Sequence, residues 1–288
     1  MSGPDIVVGV DGSAGSQRAL RWAADEAVRT GRELVVTHAY EWPMAGARFP
    51  VAGEYADDLQ RGAEDIVAAA VEDAARHAPG VVVRGETVVG SAGVVLAQCG
   101  VDDMVVVGNR GRGGFASLML GSVGHHVVTH ARATVVVVRG RADADAGPVV
   151  IGVDAGPAEP ALRLGFDEAD ARQTGVVAVH AYQLAEVVTG YAEFPAVESS
   201  DERHAAELAA LRDAVDAWVA KYPQIAVETA AIEGHPTEVL TGVSRRAQLV
   251  VVGHQTGGLG HTGLGPVAAQ LLHHADCPVM ITRSGSAV

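Results

Sequence analysis

An internal repeat restricts the fold of this chain more than any other feature of its sequence. The segment VVGVDGSAGSQRALRWAADEA from Val7 aligns with VIGVDAGPAEPALRLGFDEAD from Val150, and LVVTHAY ending at Tyr40 aligns with VVAVHAY ending at Tyr182. A third stretch, VVVGNRGRGG, recurs in altered form as VVVGHQTGGLG near the end of the chain. Agreement in three separate segments indicates two copies of one structural unit.

The length of the chain is sufficient for each copy to be a domain. The 288 residues are 48% hydrophobic, which allows a buried core in each of two domains of ordinary size. We predict a first domain over residues 1–140, a linker over 141–147 and a second domain over 148–288. The linker sequence, RADADAG, is polar, acidic and favourable to turns.

Composition argues against several classes of partner and site. The formal net charge is −14, whereas nucleic acid and anionic membranes attract basic surfaces, so we expect neither as a partner. Cys99 and Cys277 lie far apart and form no CxxC motif, which argues against a disulfide framework or a zinc–thiolate site. The N-terminus has no signal-peptide pattern, and no apolar run approaches the roughly 20 residues that span a bilayer. We therefore expect a cytoplasmic protein.

Each copy alternates short apolar runs with segments of helical periodicity. This alternation predicts an α/β domain in which a parallel sheet is covered by helices on both faces. The predicted strands of the first copy are Ile6–Val10, Leu34–Ala39, Val81–Val89, Met104–Val107 and Thr134–Val138. Its predicted helices are about Ser16–Arg29 (ending at Gly31), Tyr55–His77, Ala92–Cys99 and Ser122–His130, and the second copy repeats this order.

A glycine-rich segment follows the fourth predicted strand of the first copy. It holds Gly108, Gly111, Gly121 and Ser122 in the spacing G-x2-G-x9-G-S. Glycine permits positive φ and a close approach of the backbone to a ligand, and successive amides form an anion-binding concavity. We predict Ser122 as the N-cap of the next helix, whose free N–H groups would also meet a phosphate.

Charged and small residues near this segment complete a candidate nucleotide site. Arg110 and Arg112 would add positive charge and fork-shaped donors for phosphate. Asp11 follows the first strand and would repel phosphate, so its partner is a ribose hydroxyl or a phosphate-bound Mg²⁺. Ala39 leaves room for a base at the end of the second strand. The alternative is an empty turn in which glycine serves tight packing alone; the four matching positions together with Asp11 favour the nucleotide.

Two common nucleotide motifs are absent from the sequence. A Walker loop needs a lysine, and Lys221, on a predicted helix of the second copy, is the only one. No G-x-G-x-x-G follows the first strand, which argues against a dinucleotide Rossmann site.

The chain resembles the universal stress protein family through VVGVDGS, the strand ending HAY, and the full glycine spacing. The resemblance implies doubly wound, Rossmann-like domains with strand order 3-2-1-4-5. In that order the winding reverses between the first and fourth strands. These are the two strands that Asp11 and the glycine-rich segment follow. It also implies bound ATP, which we expect to carry Mg²⁺, and pairing through the fifth strands, between the two halves or between whole chains.

The candidate nucleotide contacts fall in both copies. In the first they are Gly9, Val10, Asp11, Ser13, Ala39, Gly108, Asn109, Arg110, Gly111, Arg112, Gly113, Gly121, Ser122 and Val123. In the second they are Gly152, Asp154, Ala181, Gly253, Gly257, Gly265 and Val267.

The second copy departs from the pattern where phosphate would bind. It reads Gly253-x2-Thr256 and then Gly265-Pro266, one residue shorter between its first and last glycine, and it lacks the arginines. Thr256 is β-branched and resists positive φ, so Gly257 would replace the middle glycine only if the loop shifts register. Pro266 has neither an N–H group nor a hydroxyl. Because one charge-assisted hydrogen bond contributes roughly 1.5–3 kcal/mol, we predict that the first copy binds ATP and the second binds it weakly or not at all.

The histidines have plainer interpretations. His126 and His130 are four residues apart on a predicted helix, but no third ligand is evident nearby, so we predict no metal site. His38 and His180 end the second strand of each copy; we favour local hydrogen bonds there over contact with a base.

Three functions remain open at this stage. We favour an ATP-binding stress or dormancy regulator without dedicated catalysis and without catalytic residues. A slow ATPase or nucleotidyl-transferring enzyme is the second, and a nucleotide-free interaction module is the third. The sequence does not identify a downstream protein partner.

Overall fold

The computed structural model describes residues 4–42, 53–111, 120–141, 146–154, 158–183, 200–254 and 264–283, the side chains of residues 53–56 excepted. The first half contains β1 (Ile6–Gly9), α1 (Ala14–Thr30), β2 (Leu34–Tyr40), α2 (Gly53–His77), β3 (Val83–Val89), α3 (Ala92–Ala97), β4 (Met104–Gly108), α4 (Ser122–His130) and β5 (Thr134–Val138). The second half contains β6 (Val149–Gly152), α5 (Glu159–Ala171), β7 (Val176–Tyr182), α6 (Ser200–Lys221), β8 (Val227–Glu233), α7 (Pro236–Ser244), β9 (Leu249–Gly253), α8 (Pro266–His274) and β10 (Val279–Thr282).

The described strands form one sheet of ten strands in the order β3-β2-β1-β4-β5-β10-β9-β6-β7-β8. Within each half all neighbouring strands are parallel. Each half therefore has the order 3-2-1-4-5, which confirms the predicted α/β, doubly wound fold. The sheet reverses its winding beside β1 in the first half and beside β6 in the second.

The fifth strands of the two halves join the sheet at its centre. β5 and β10 are antiparallel, with Val137 opposite Val279 and Val136 opposite Met280. The described structure thus contains the pairing between halves that the resemblance implied. Pairing between whole chains stays a prediction.

Helices cover both faces of the sheet because the strands are apolar on both sides. The core on one face includes side chains from α1, α2, α5 and α6, and the core on the other includes side chains from α3, α4, α7 and α8. Each core contains residues of both halves, so apolar packing continues across the β5–β10 junction. No helix among the described residues is long and apolar enough to cross a membrane.

Helix α1 shows how local sequence sets the position of the site. Ser13 is its N-cap, and the Ser13 side chain accepts a hydrogen bond from the Ser16 amide at 3.2 Å. The helix therefore begins at Ala14, two residues before the predicted start. It ends, as predicted, at Gly31, which has φ of 68° in the left-handed region that glycine tolerates.

Candidate functional site

Each half has a cavity at the carboxyl ends of its strands. The first, of about 410 Å³, opens where β1 and β4 end, at the reversal of winding. The second, of about 460 Å³, opens where β6 and β9 end. Both volumes fall in the range of roughly 300–1,000 Å³ of small-molecule sites, and both occupy the place where open α/β sheets bind ligands.

The first cavity brings together most of the residues singled out in the first copy. Those that line it are Gly9, Val10, Asp11, Ala39, Gly108, Arg110, Gly111, Gly121, Ser122 and Val123. Ser13 is placed beside the cavity, as the cap of α1. Asn109 does not line the cavity, and its backbone amide donates a hydrogen bond to the carbonyl of Val138 on β5. Arg112 and Gly113 lie outside the described residues.

Asp11 is held at the mouth of the first cavity by its own backbone turn. Its Oδ1 accepts a hydrogen bond from the Ser13 amide at 3.0 Å, and its amide donates to Ser16 Oγ at 3.3 Å. Gly111 lies so close that a Cβ there would collide with Asp11 Oδ2. The loop after β4 therefore closes against the loop after β1, although the two are distant in sequence.

The glycines serve close packing rather than an unusual backbone conformation. Neither Gly108 nor Gly111 uses the positive φ that glycine permits. Gly108 instead faces the first turn of α1, where an added Cβ would lie 2.6 Å from the carbonyl carbon and oxygen of Gly15. Gly15 in turn contacts the Arg110 carbonyl. The close approach to a ligand stays a prediction, and the close approach observed at Gly108 is to the protein's own backbone.

The predicted N-cap of α4 is wrong by one residue. Gly121 is the cap, with an extended backbone, and Ser122 is the first residue of the helix. The reason is the hydrogen bonding of Gly121: its amide donates to the Asn109 carbonyl at 2.8 Å and its own carbonyl accepts from the His125 amide at 3.0 Å. Ser122 lines the cavity, at the end of α4 where helical amides have no partner within the helix.

Sequence reasoning missed several residues that line the first cavity: Ser16, Thr37, Ala92, Leu96, Val107 and Gly124. Thr37 precedes Ala39 by two positions on β2, and residues two apart share a face of a strand, so periodicity offered a signal for it. Its Oγ1 is buried and has no hydrogen-bond partner among the described residues. Leu96 is on α3, and no local pattern connects it with the glycine segment.

Two histidines make the same local hydrogen bond in the two halves. Nδ1 of His38 lies 2.6 Å from the carbonyl oxygen of Val10, and Nδ1 of His180 lies 2.9 Å from that of Val153. Both bonds join the second strand of a half to the residue after its first strand, which confirms the structural role. His126 and His130 stack with ring centroids 4.2 Å apart; in the described part of the chain, no group of three or more potential metal ligands is present.

The second cavity lies at the equivalent place in its half of the chain, but some of the side chains that line it differ. Gly152, Asp154, Ala181, Gly253, Gly265 and Val267 all line it. Gly265 caps α8 and Pro266 is the first residue of that helix, a position that proline favours. Thr256 and Gly257 lie outside the described residues.

Comparison with known proteins connects both halves with one family. The model of the universal stress protein family matches residues 4–139 and again residues 147–283. A universal stress protein of Mycobacterium tuberculosis is 35% identical over an alignment of 295 positions that covers 96% of each chain. One from Mycolicibacterium smegmatis is 32% identical, again over 96% of each chain. The crystal structure of a universal stress protein from Archaeoglobus fulgidus matches with a TM-score of 0.73, at 16% identity and 98% coverage of both chains, and shows the same fold.

Proposed function

Because this chain belongs to the universal stress protein family, we propose that its first half binds ATP with Mg²⁺ and that the bound nucleotide regulates a stress or dormancy response. One observation carries the proposal. The loops after β1 and β4 meet at one mouth, and Asp11, Arg110, Gly111 and Ser122 line a cavity of about 410 Å³ there.

The residue types support a division of labour within this cavity. Arg110 is exposed, and its guanidinium would add a charge-assisted contact to phosphate. The amides in the first turn of α4, beside Ser122, have no partner within the helix and would favour the same negative charge. Asp11 would accept from a ribose hydroxyl or hold phosphate-bound Mg²⁺. Ala39 and Leu96 offer an apolar surface for the base.

The same residues favour binding without dedicated catalysis. Of the described residues that line the first cavity, Asp11 alone has a carboxyl or imidazole group. Its Oδ1 already accepts the Ser13 amide hydrogen. We propose that ATP acts by stabilising one conformation of the protein, which shifts the population of states.

The proposed setting is the cytoplasm, with a protein as the downstream partner. The net charge of −14 disfavours nucleic acid and anionic membranes as partners. A surface of this charge is compatible with a protein partner.

Titration of the purified chain with MgATP tests the proposal. Ala39 and Ala181 hold equivalent places at the ends of β2 and β7, and each lines the cavity of its own half. A phenylalanine at either position fills that cavity. We expect calorimetry to detect about one equivalent of tightly bound MgATP in the wild-type chain. The affinity should fall at least about tenfold in Ala39→Phe and stay unchanged in Ala181→Phe.

The outcomes of this titration separate the three functions. Absence of MgATP binding to the wild-type chain would overturn the proposal and favour a nucleotide-free interaction module. Equal binding by Ala39→Phe would overturn the proposed site, because the nucleotide would then bind elsewhere. Release of ADP or AMP under single-turnover conditions, at a rate abolished in Asp11→Ala, would indicate an enzyme.

A further inference from the structure

Strands β3 and β8 form the two edges of the sheet. Within the described part of the chain, β3 pairs with β2 alone and β8 pairs with β7 alone. The fifth strands, β5 and β10, each have a neighbour on both sides. An edge strand presents N–H and C=O groups that can pair with another chain, so strand pairing between whole chains would use β3 or β8.

The backbone of β3 directs alternate residues towards the open edge. Just before the strand, the Val82 carbonyl accepts from the Leu34 amide at 2.9 Å, and just after it the Gly90 amide donates to the Tyr40 carbonyl at 2.9 Å. The register with β2 is unbroken between these two bonds. Successive residues of a strand direct their N–H and C=O groups to opposite sides, so the even-numbered residues face β2. The residues that face the edge are Val83, Gly85, Thr87 and Val89.

The sequence of β3 is complementary to itself in the antiparallel direction. When two copies pair about Gly85, Val83 lies opposite the partner's Thr87, and Arg84 lies opposite the partner's Glu86. Opposite charges and β-branched residues are favourable cross-strand pairs. Because Gly85 directs its N–H and C=O outward, the Gly85 pair and the two Val83–Thr87 pairs would exchange hydrogen bonds. The two Arg84–Glu86 pairs would then occupy the positions where side chains come closest.

Arg84 is held at the edge in a position to make this contact. It lies 2.8 Å from Asp5, 3.2 Å from Glu33 and 3.4 Å from Glu86 of its own chain. The side chains of Arg84 and Glu86 are 43% and 49% exposed. The partner's Glu86 can therefore join this cluster while Asp5 and Glu33 keep Arg84 in place.

Helix α2, which packs on the other face of β3, leaves room for a second copy. Val67 and Val71 pack closely on Gly85, where an added Cβ would lie 2.5 and 3.0 Å from their methyl carbons. Ala68 and Ala75 are three residues before and four residues after Val71, so these three residues share one side of the helix. Both alanines are exposed. Small side chains on this side would allow the α2 helices of two chains to lie next to each other.

The equivalent edge strand of the second half lacks this complementarity. The charged residues of β8 are Glu228 and Glu233, and the strand contains no basic residue. Pairing of β8 with itself would therefore bring no opposite charges together, whereas β3 would form two Arg84–Glu86 pairs.

We propose that β3 is an interaction surface for a second copy of this chain, in which two β3 strands pair antiparallel about Gly85 and join the two sheets. The contact uses the same surface on both chains, so it closes as a dimer. Val82 and Val89, each 57% exposed, would gain the partner's Val88 and Val81 as cross-strand neighbours. No residue of β3 is among the described residues that line the two cavities, so the inference does not depend on nucleotide binding.

Reversal of charge tests the proposed pairing. Glu86→Arg places an arginine opposite each Arg84, and Arg84→Glu places a glutamate opposite each Glu86. Sedimentation velocity of the full chain over a range of concentrations measures the dissociation constant of the dimer, which we expect to rise at least about tenfold in either variant. An equimolar mixture of the two variants restores opposite charges at both pairs and should form a heterodimer with about the wild-type affinity.

A proline substitution tests the backbone hydrogen bonds. Thr87→Pro removes an N–H group that faces the edge, a position where a strand tolerates proline, and it should also raise the dissociation constant at least about tenfold. Ala231→Pro is the matched control on β8, because Ala231 lies opposite His180 as Thr87 lies opposite His38. This control should keep the wild-type dimer. Circular dichroism and the urea midpoint establish that each variant is folded.

Several results would overturn the inference. These are a wild-type chain that stays monomeric at its highest soluble concentration, a dimer that both charge variants retain, and a mixture of folded charge variants that does not associate. Assemblies larger than a dimer would indicate that β3 of one chain pairs with β8 of the next, which would also contradict the proposed contact. If Thr87→Pro fails to fold, the mixture of charge variants still decides the question.

Discussion

Gly108 and Gly253 end equivalent strands, β4 and β9, yet the described residues around them differ. A Cβ at Gly108 would lie 2.6 Å from the backbone of Gly15, whereas a Cβ at Gly253 would meet no described atom within 4 Å. Backbone atoms in the first turn of α1 cannot move aside as a flexible side chain does. The same substitution should therefore have unequal effects in the two halves.

We predict that Gly108→Ala lowers the free energy of unfolding by about 1–3 kcal/mol, the usual cost of overpacking. Gly253→Ala is the matched control and should change it by less than about 0.5 kcal/mol. Urea denaturation followed by circular dichroism measures both values. Equal destabilisation by the two substitutions would show that Gly108 is not held against α1 in this way.

These glycines also show how far sequence reasoning reaches at the scale of one residue. The spacing identified Gly108, Gly111 and Gly121 as special and placed them at the cavity. It did not reveal why, because the reason for Gly108 is the backbone of Gly15, which approaches only after the sheet has formed. Thr37 was missed for a related reason: inside an apolar strand, its hydroxyl carries no spacing signal.

At the scale of elements, helices α1 and α5 are joined across the two halves by buried charges. Arg172 on α5 contacts Glu168 on its own helix and donates to Glu26 Oε2 on α1 at 2.5 Å. Glu26 and Glu168 occupy equivalent repeat positions, and both side chains are buried. The Arg172 guanidinium also lies 5.6 Å from the centroid of the Trp22 ring. Arg29 on α1 also lies 3.4 Å from Glu26 Oε2, so Arg172 faces both buried carboxyl groups and Arg29 faces one of them.

This arrangement makes Glu168 a source of pH-dependent stability. Burial, and then the neighbouring Glu26, raise the pKa of Glu168 from 4.5 to about 8, although Arg172 opposes the shift. Between these values the folded chain holds a proton that the unfolded chain releases. The stabilising contribution is therefore complete below about pH 4.5 and is lost as the pH rises towards 8.

We predict that the contribution of Glu168 to the free energy of unfolding decreases from pH 5 to pH 8. Glu168→Gln should reduce this pH dependence, because an amide cannot lose a proton. Urea unfolding at pH 5, 6.5 and 8 measures the slope. Asp213→Asn, at an exposed position on α6, is the control and should keep the wild-type slope. An unchanged slope in Glu168→Gln would contradict the assignment to Glu168.

The elements themselves were largely predictable, and this contact between them was not. Apolar runs and helical periodicity gave the order of strands and helices, since burial on a sheet imposes those patterns. Glu26 and Glu168 lie in the aligned repeat segments, and nothing in those segments indicates that both would be buried around one arginine. Only the antiparallel pairing of β5 with β10 brings α1 towards α5. Arg172 of the second copy aligns with Thr30 of the first, so the repeat gave no signal for a buried arginine at this position.

At the scale of the whole molecule, the two halves share one sheet and both cores. Repetition in the sequence predicted two similar units, and the resemblance supplied their pairing through the fifth strands. The apolar cores on both faces contain side chains from each half. Arg139, just after β5, adds hydrogen bonds to the carbonyls of Leu271 and His273 on α8 at 2.9 and 2.8 Å. These contacts couple the folding of one half to that of the other.

We predict that the chain unfolds in a single transition and that MgATP bound in the first half stabilises both halves equally. Trp218 on α6 reports on the second half, and Trp22 and Trp42 report on the first. A variant with phenylalanine at both Trp22 and Trp42 keeps Trp218 as its single tryptophan, and Trp218→Phe keeps Trp22 and Trp42. Tryptophan fluorescence in urea should give the same unfolding midpoint for these two variants.

Ligand linkage makes this coupling quantitative. MgATP at 100 times its dissociation constant should raise the free energy of unfolding by about 2.7 kcal/mol. Trp218 should report the same increase as Trp22 and Trp42, because neither half can unfold while the other keeps the shared sheet and cores. Ala39→Phe should remove the increase for every reporter, whereas Ala181→Phe should keep it. If Trp218 reported an unchanged midpoint while the first half gained stability, the halves would be independent, and the β5–β10 junction would not transmit binding energy between them.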